Sequence, residues 1–312
     1  MRSILITAPG EPDVLTVGER DVPDLRAGYL RLRVSGAAVN PVDAFLRSGG
    51  IDAEFVGPLP WTPGMDAAGV VESVNSDSAY RVGERVMAVV VPGPSRPGAQ
   101  SELVLVPETS VMRVPFGMNL IQAASLPMNG LTALLALDEI TARGAETVAV
   151  TGATGMLGLL VVELAHHLGL HVVAAGRRDE RQILMDAGAN EFVERGPHIA
   201  QAIRALHPLG VDAAVDASLQ GPETVRAIRD GGLLVAVRSC SHSYERDIEV
   251  VSVMVAKYAR DKTRLERLRV LIGSGVLTPR VSGIFAPEEI VEVHRRMEVG
   301  GVRGRLMISF ES

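Results

Sequence analysis

The chain has 312 residues, 22% of them charged and 47% hydrophobic, with 32 glycines against 6 Phe, 4 Tyr and 1 Trp. At roughly 100 to 200 residues per domain this length predicts two domains, each able to bury its own core. A net charge of −6 lacks the basic footprint that nucleic-acid binding needs, and the single cysteine, Cys240, can neither close an intramolecular disulfide nor supply a four-cysteine zinc lobe. The apolar stretch before Ala8, Pro9 and Gly10 is too short for a signal-peptide core, and later apolar runs are broken by Gly or charge. A soluble cytoplasmic protein with no membrane partner is expected.

Residues 1 to about 115 read as short strands punctuated by Pro, Gly, Asp and Asn: 3–7, 30–39, 67–74, 85–91 and 101–106. This is a β module without a long helix. An Ala- and Leu-rich segment, 121–140, follows with an interruption at Gly130, and it leads into the β-branched run 147–151. From there helices (156–168, 180–186, 199–206, 223–228) alternate with strands (171–175, 191–193, 211–216, 233–237). Such alternation predicts a parallel sheet wound on both faces, a Rossmann-type domain. A further strand at 248–256, a basic amphipathic helix at 260–272, and a strand, a helix (287–297) and a final strand (305–310) complete the chain. The expected division is 1–117 with 258–312, and 118–257.

Between strand 147–151 and the next helix lies Thr151-Gly-Ala-Thr-Gly-Met-Leu-Gly158. Gly152 permits a tight turn, Gly155 with the backbone of Met156 and Leu157 can approach a pyrophosphate at a helix N-terminus, and Gly158 allows the helix to pack closely. At the end of the following strand, where a carboxylate selects the 2′-hydroxyl of NAD(H), the chain reads Ala174-Ala-Gly-Arg-Arg178. Two guanidiniums in place of a carboxylate favour the 2′-phosphate of NADPH. The alternative is a pair of solvated loop arginines partnered by Asp179 and Glu180.

Asn40-Pro-Val-Asp43 with Arg47-Ser-Gly49, Pro63-Gly-Met-Asp-Ala-Ala-Gly69, Gly83-Glu-Arg-Val86, Ala123-Ala-Ser-Leu-Pro127, Gly130-Leu-Thr-Ala133, the 152–158 loop, 184–189, and His294-Arg-Arg-Met-Glu298 before Gly304-Arg305 together resemble the medium-chain dehydrogenase/reductase superfamily. The likeness is to its zinc-independent, quinone-oxidoreductase-like group and runs over essentially the full length. It implies an α/β protein in which a GroES-like catalytic domain from both chain ends adjoins a Rossmann domain at a cofactor cleft. Zinc-dependent members ligate their metal with Cys where this chain has Asn40 and with His in the segment Gly64-Met-Asp66, so no metal is expected. A metal-free hydride transfer favours an acceptor that is already electrophilic, a quinone or an enone.

The same resemblance places Asn40 near the nicotinamide, Thr132 toward its ribose and carboxamide, Gly155, Met156 and Leu157 at the pyrophosphate, and Arg177 at the 2′-phosphate. Gly152, Thr154, Gly158, Arg178, Ser218 and Arg305 complete the expected cofactor set. Asn40, Asp43 and Asn129 are the catalytic candidates, although Asn40 and Asp43 also suit the start of a helix. Substrate walls are expected from Phe45, Ile51, Phe55 and Trp61, and from Ser239 in a loop, 238–247, that is either a lid or a polar connection. Relatives often carry a Tyr soon after the Asn-Pro-Val-Asp segment; this chain reads Ala44-Phe-Leu-Arg-Ser-Gly-Gly50 instead, which suits a quinone better than an enoyl thioester.

An enoyl reductase and a cofactor-binding protein with little turnover are the alternatives. A third reading takes Tyr258-Ala-Arg-Asp-Lys262 as the Tyr-x-x-x-Lys pair of short-chain dehydrogenases, but some 146 residues of the other family's motifs precede the glycine loop. Adjacent His166 and His167 point about 100° apart on a helix and make no metal pair. The resemblance also implies a homodimer through the edge strand at 248–256.

Overall fold

In the computed structural model, which describes residues 1–310 apart from Ser95, Ser239 and Ser241, alternation of apolar and charged residues sets the first strands. They are β1 (Arg2–Ile6), β2 (Leu15–Glu19) and β3 (Tyr29–Val39); in β3, Leu30, Leu32 and Val34 point inward while Arg31 and Arg33 point out. Beyond Ser35 this strand is buried on both faces, and it ends just before Asn40, after which Pro41 starts helix α1 (Pro41–Arg47). Then come α2 (Ala53–Val56), β4 (Asp66–Val74), β5 (Arg85–Val89), β6 (Leu103–Pro107), β7 (Val111–Arg113) and α3 (Leu120–Ala124). The next helix, α4 (Pro127–Ala142), contains Gly130.

That corrects the expected interruption. The break falls at Ser125 and Leu126, because Pro127 disfavours helical backbone in the residue before it, whereas an interior Gly costs only about 1 kcal/mol, which burial of the surrounding leucines offsets.

The remaining elements are β8 (Thr147–Thr151), α5 (Met156–His167), β9 (His171–Gly176), α6 (Arg181–Asp186), β10 (Glu191–Glu194), α7 (Ile199–Leu206), β11 (Val211–Asp216), α8 (Pro222–Ala227), β12 (Ile228–Ala236), β13 (Glu249–Ser252), α9 (Lys262–Gly273), β14 (Val281–Phe285), α10 (Ile290–Val299) and β15 (Arg305–Ser309). Two short strands, β2 and β7, have no counterpart in the sequence reading. β2 contains Gly18 and pairs locally with β1, and three residues, the length of β7, are too few to show a period. The strand expected at 248–256 is confined to β13.

The chain divides into two compact units, Met1–Met128 with Ala256–Gly273 and Pro279–Ser312, and Asn129–Val255 with Ser274–Thr278. In the first, a sheet in the order β14-β15-β3-β4-β5-β7, with β6 also on β3, encloses Leu30, Leu32, Val71, Val104 and Ile308. Gly69 is required there, since a Cβ would lie 1.9 Å from the Arg33 carbonyl oxygen. In the second, six parallel strands run in the order β10-β9-β8-β11-β12-β13. The chain reverses its winding between β8 and β11, the switch point at which nucleotide folds bind ligands, and β13 lies at the sheet edge. Among the described residues, no helix is long and apolar enough to cross a membrane.

Candidate active site

In the α/β unit the glycine loop leaves β8 at the switch point. Gly152 adopts φ +59°, and a Cβ on it would press to 3.0 Å on the backbone of Ala217 and Ser218. Its carbonyl accepts the Gly155 N–H at 3.0 Å, closing the turn so that Gly155 becomes the N-cap of α5. No side chain caps that end, which leaves backbone N–H groups and the positive helix end presented to an anion. Gly158 is fixed by its own loop: a Cβ would sit 2.2 Å from the Gly152 oxygen. Below the loop, buried Thr151 donates its hydroxyl to Asp216 at 2.7 Å, and Asp216 in turn accepts the N–H groups of Gln220 and Gly221. This ties the turn after β11, with Ser218, to the loop after β8.

These groups fit a dinucleotide pyrophosphate, in a cradle that side chains would fill. At the end of β9, Thr154 reaches toward Gly176, while Arg177 binds Asp179 (3.2 Å) and Glu180 (3.1 Å). Arg178 is 88% exposed and 3.6 Å from Glu194. Arg177 therefore has both acidic partners expected in the alternative reading, whereas Arg178 lies near Glu194 instead. Both side chains reach the surface beside the strand end. Asn129 and Thr132, three residues apart on α4, share one face and are both buried.

The β-rich unit brings a second set together by strand register. Asn40 directly follows β3, Asp66 opens β4 and Arg305 opens β15, and since β15, β3 and β4 are neighbours these three occupy one end of the sheet. Asp43, three residues into α1, turns back so that its Oδ2 accepts the Asn40 N–H (2.8 Å), half of a capping box. Its Oδ1 accepts the Gly64 N–H (2.9 Å), and Gln100 donates to Oδ2 at 3.2 Å. The Asn40 side chain does not cap the helix: its Nδ2 donates to Asp66 Oδ2 at 2.7 Å, while Asp66 Oδ1 accepts the Met128 N–H at 2.6 Å.

All five side chains are buried, with Arg305 the most exposed at 8%. Burial pushes the Asp43 carboxyl up to about 7, against the N–H bonds from Asn40 and Gly64, and Asp66 adds to the rise. Asp66 is raised to about 6 by the same desolvation, opposed by the Met128 N–H, Arg305 and the Asn40 amide. Burial lowers the Arg305 guanidinium, and the two aspartates resist it. Above pH 7 the cluster thus holds two carboxylates against one guanidinium.

The set does not fit a catalytic zinc ion. Asn40 and the segment Gly64-Met-Asp66 offer neither the thiolate nor the imidazole of such a site, the Asn40 amide donates to Asp66, and Arg305 already supplies the local positive charge. Among the described residues, the group of three or more His, Cys, Asp or Glu with converging ligand atoms lies elsewhere, at His171, Glu191 and His207.

Of the expected substrate walls, Phe45 and Phe55 are 44% and 59% exposed. Trp61 lies in the β core instead, bridging Ile6 and donating its indole N–H to the Gly57 carbonyl, and Ile51 packs against that core. Ser239 lies outside the described residues. Arg47, part of the motif reading, is buried and bonds Gly10, His294 and Glu298, which makes it a brace between α1 and α10. Tyr258 precedes α9 on a turn, so it and Lys262 do not share a helical turn as the short-chain pair would.

Sequence reasoning passed over Asp66 and Gln100 as site residues. A charged residue opening the buried run Ala67-Ala-Gly-Val is the signal that marks Asp66.

Comparison with known proteins adds the following. Residues 26–116 match the alcohol dehydrogenase GroES-like domain family and residues 157–257 the zinc-binding dehydrogenase family. The chain is 33% identical to the quinone oxidoreductase of Mus musculus, over 99% of this chain and 97% of that protein. It is 27% identical to the 2-methylene-furan-3-one reductase of Solanum lycopersicum, over 99% of this chain and 79% of that one. Among solved structures, a mycobacterial protein complexed with NADPH superposes with a TM-score of 0.86 at 24% identity, covering 99% of each chain.

Proposed function

Because the chain belongs to the medium-chain dehydrogenase/reductase superfamily, in its quinone-oxidoreductase-like group, we propose that it is an NADPH-dependent cytoplasmic reductase of quinones or other α,β-unsaturated carbonyls. Support comes first from the uncapped N-terminus of α5 behind Gly152 and Gly158, a site made for a dinucleotide pyrophosphate. When bound, the reduced nicotinamide supplies the hydride from C4. Gly155, Met156 and Leu157 hold the pyrophosphate through backbone N–H groups, with Thr154 and Ser218 at the rim. Arg177 and Arg178 take the 2′-phosphate in exchange for Asp179, Glu180 and Glu194.

Thr132 and Asn129 orient the nicotinamide from α4, and Asn40 orients it from the end of β3. Asp43 and Asp66 are positioning residues in this scheme: one fixes the Asn40 backbone, the other its amide. Phe45 and Phe55 offer apolar walls to a flat acceptor. No metal is needed, since the acceptor is electrophilic before it binds and the hydroquinone anion or enolate that hydride addition leaves takes its proton from water. The named relatives act, by their names, on a quinone and on an enone. The chain is further proposed to form a homodimer by pairing β13 across a two-fold axis; light scattering at twice the monomer mass is expected, and a monomer mass contradicts it.

The test is consumption of NADPH, followed at the reduced-nicotinamide absorbance band, with 1,4-benzoquinone, 9,10-phenanthrenequinone, an enone and crotonyl-CoA, in the presence of chelator. Oxidation with the quinones or the enone is expected. Turnover of crotonyl-CoA alone points to an enoyl reductase, and binding without any oxidation points to a cofactor-binding role.

A further inference from the structure

At the edge of the parallel sheet farthest from β13, three side chains converge that the proposed reductase does not use. β9 and β10 are parallel with Glu191 opposite Val173, so His171 and Val173 of β9 share a face with Glu191 and Val193 of β10. Helix α7 covers that face by packing Ile199 and Ile203 on Val173 and Val193. His207 follows α7 directly, its N–H bonded to the Ile203 carbonyl at 2.8 Å, and so reaches the amino ends of both strands. The glycine loop leaves the carboxyl end of β8, so the two sites occupy opposite ends of the strands, and this inference stands apart from the nucleotide reading.

The geometry of the trio is that of ligands around one ion. His207 Nε2 lies 2.9 Å from Glu191 Oε2, and His171 Nε2 lies 3.4 Å from Glu191 Oε1. The two imidazoles meet edge to face with centroids 5.5 Å apart, and all three ligand atoms fall within 4.8 Å of one another. Bond lengths of about 2.0–2.2 Å to N and O in a tetrahedral site separate neighbouring ligand atoms by roughly 3.3 Å, so both His–Glu separations, one to each carboxylate oxygen, lie within a few tenths of an ångström of that value.

An ordinary His–Glu hydrogen bond accounts for His207 alone. His171 Nε2 is shielded from solvent and makes no hydrogen bond among the described residues, although it lies near the same carboxylate. The three side chains are 21% to 41% exposed, so the trio lies at the protein surface rather than in the sealed core.

We propose that His171, Glu191 and His207 bind one divalent transition-metal ion of the zinc type, which clips α7 to the amino ends of β9 and β10. Two imidazoles with one carboxylate select such ions over Mg²⁺ and Ca²⁺, which prefer all-oxygen sets.

The full chain, stripped of metal by chelator, is titrated with Zn²⁺ by calorimetry, and its melting temperature is read with and without Zn²⁺. One ion per chain is expected, unaffected by excess Mg²⁺, with a rise in melting temperature. His171→Ala and His207→Ala should each weaken binding by at least about 100-fold, since losing a ligand exceeds the 10- to 100-fold cost of losing an outer partner. Glu191→Gln, which keeps the side-chain shape, should weaken it too.

A thiol–imidazole approach elsewhere, Cys240 Sγ to His242 Nδ1 at 4.0 Å, supplies the control: Cys240→Ser with His242→Ala should leave the affinity unchanged. No Zn²⁺ binding, equal binding by the wild type and the His171→Ala/His207→Ala protein, or loss of binding in the control, overturns the proposal.

Discussion

The groups that would meet a phosphate in the α/β unit belong to the backbone, the N–H groups at the start of α5, made available by glycines that a Cβ would displace. In the β-rich unit the polar groups are side chains, Asn40, Asp43, Asp66, Gln100 and Arg305, drawn from four places in the chain and buried together. A backbone site tolerates change in most of its side chains but no added bulk at its glycines. A buried side-chain site tolerates neither removal of a partner nor a mismatch of charge.

The largest effect should come from Arg305→Met. It leaves two desolvated carboxylates without their cation, and at pH 8 the cost expected from denaturant unfolding is about 3–5 kcal/mol. At pH 5, below both raised carboxyl values, the aspartates are protonated and the loss should shrink. A pH-independent loss would show that the guanidinium acts by packing alone.

Asp43 provides a sharper version of the same contrast. Its carboxyl titrates at about 7 when folded, against about 3.9 unfolded, so between those values the folded state binds more protons and its stability falls as pH rises. Asp43→Asn removes this slope. The wild type should lose on the order of 3–4 kcal/mol relative to the variant between pH 4 and 7.5, read by urea unfolding at intervals. Parallel curves would place the ordinary carboxylate value in the fold.

Smaller changes belong to the loop. Gly158→Ala forces a Cβ onto the Gly152 carbonyl and should cost about 1–3 kcal/mol in stability, with nucleotide affinity falling alongside. Thr154→Ala, which leaves the backbone untouched, should alter nucleotide affinity by only a few-fold. If the two variants bind alike, the cradle is not made by backbone.

The same contrast explains what was legible in the sequence. The Gly152 to Gly158 spacing, the β-branched strand before it and the alternation after it are local, and β8, α5, α7 and β11 appear within a residue of where the pattern put them. Family resemblance carried Asn40, Asp43 and Arg305 as separate candidates. That Asp66 binds Asn40, and that Gln100 joins Asp43, depends on contacts 26 and 57 residues apart in the chain, which no local pattern encodes.

Trp61 shows the same limit. An aromatic beside Pro60 reads equally as a pocket wall or as core, and in the fold it is 8% exposed and packs within the β core. His171, Glu191 and His207 were passed over because their meeting follows from the parallel register of β9 on β10 and the length of α7.

The central claim, that the glycine loop and the arginines after β9 hold NADPH, is tested most directly by equilibrium titration. NADPH and NADH are titrated into the wild type and into Arg177→Ala/Arg178→Ala. The account predicts tighter binding of NADPH by the wild type, and in the variant a loss of about 1.5–3 kcal/mol for each charge-assisted hydrogen bond removed, with NADH nearly unchanged. Equal losses for both nucleotides, or a wild type that prefers NADH, would contradict it.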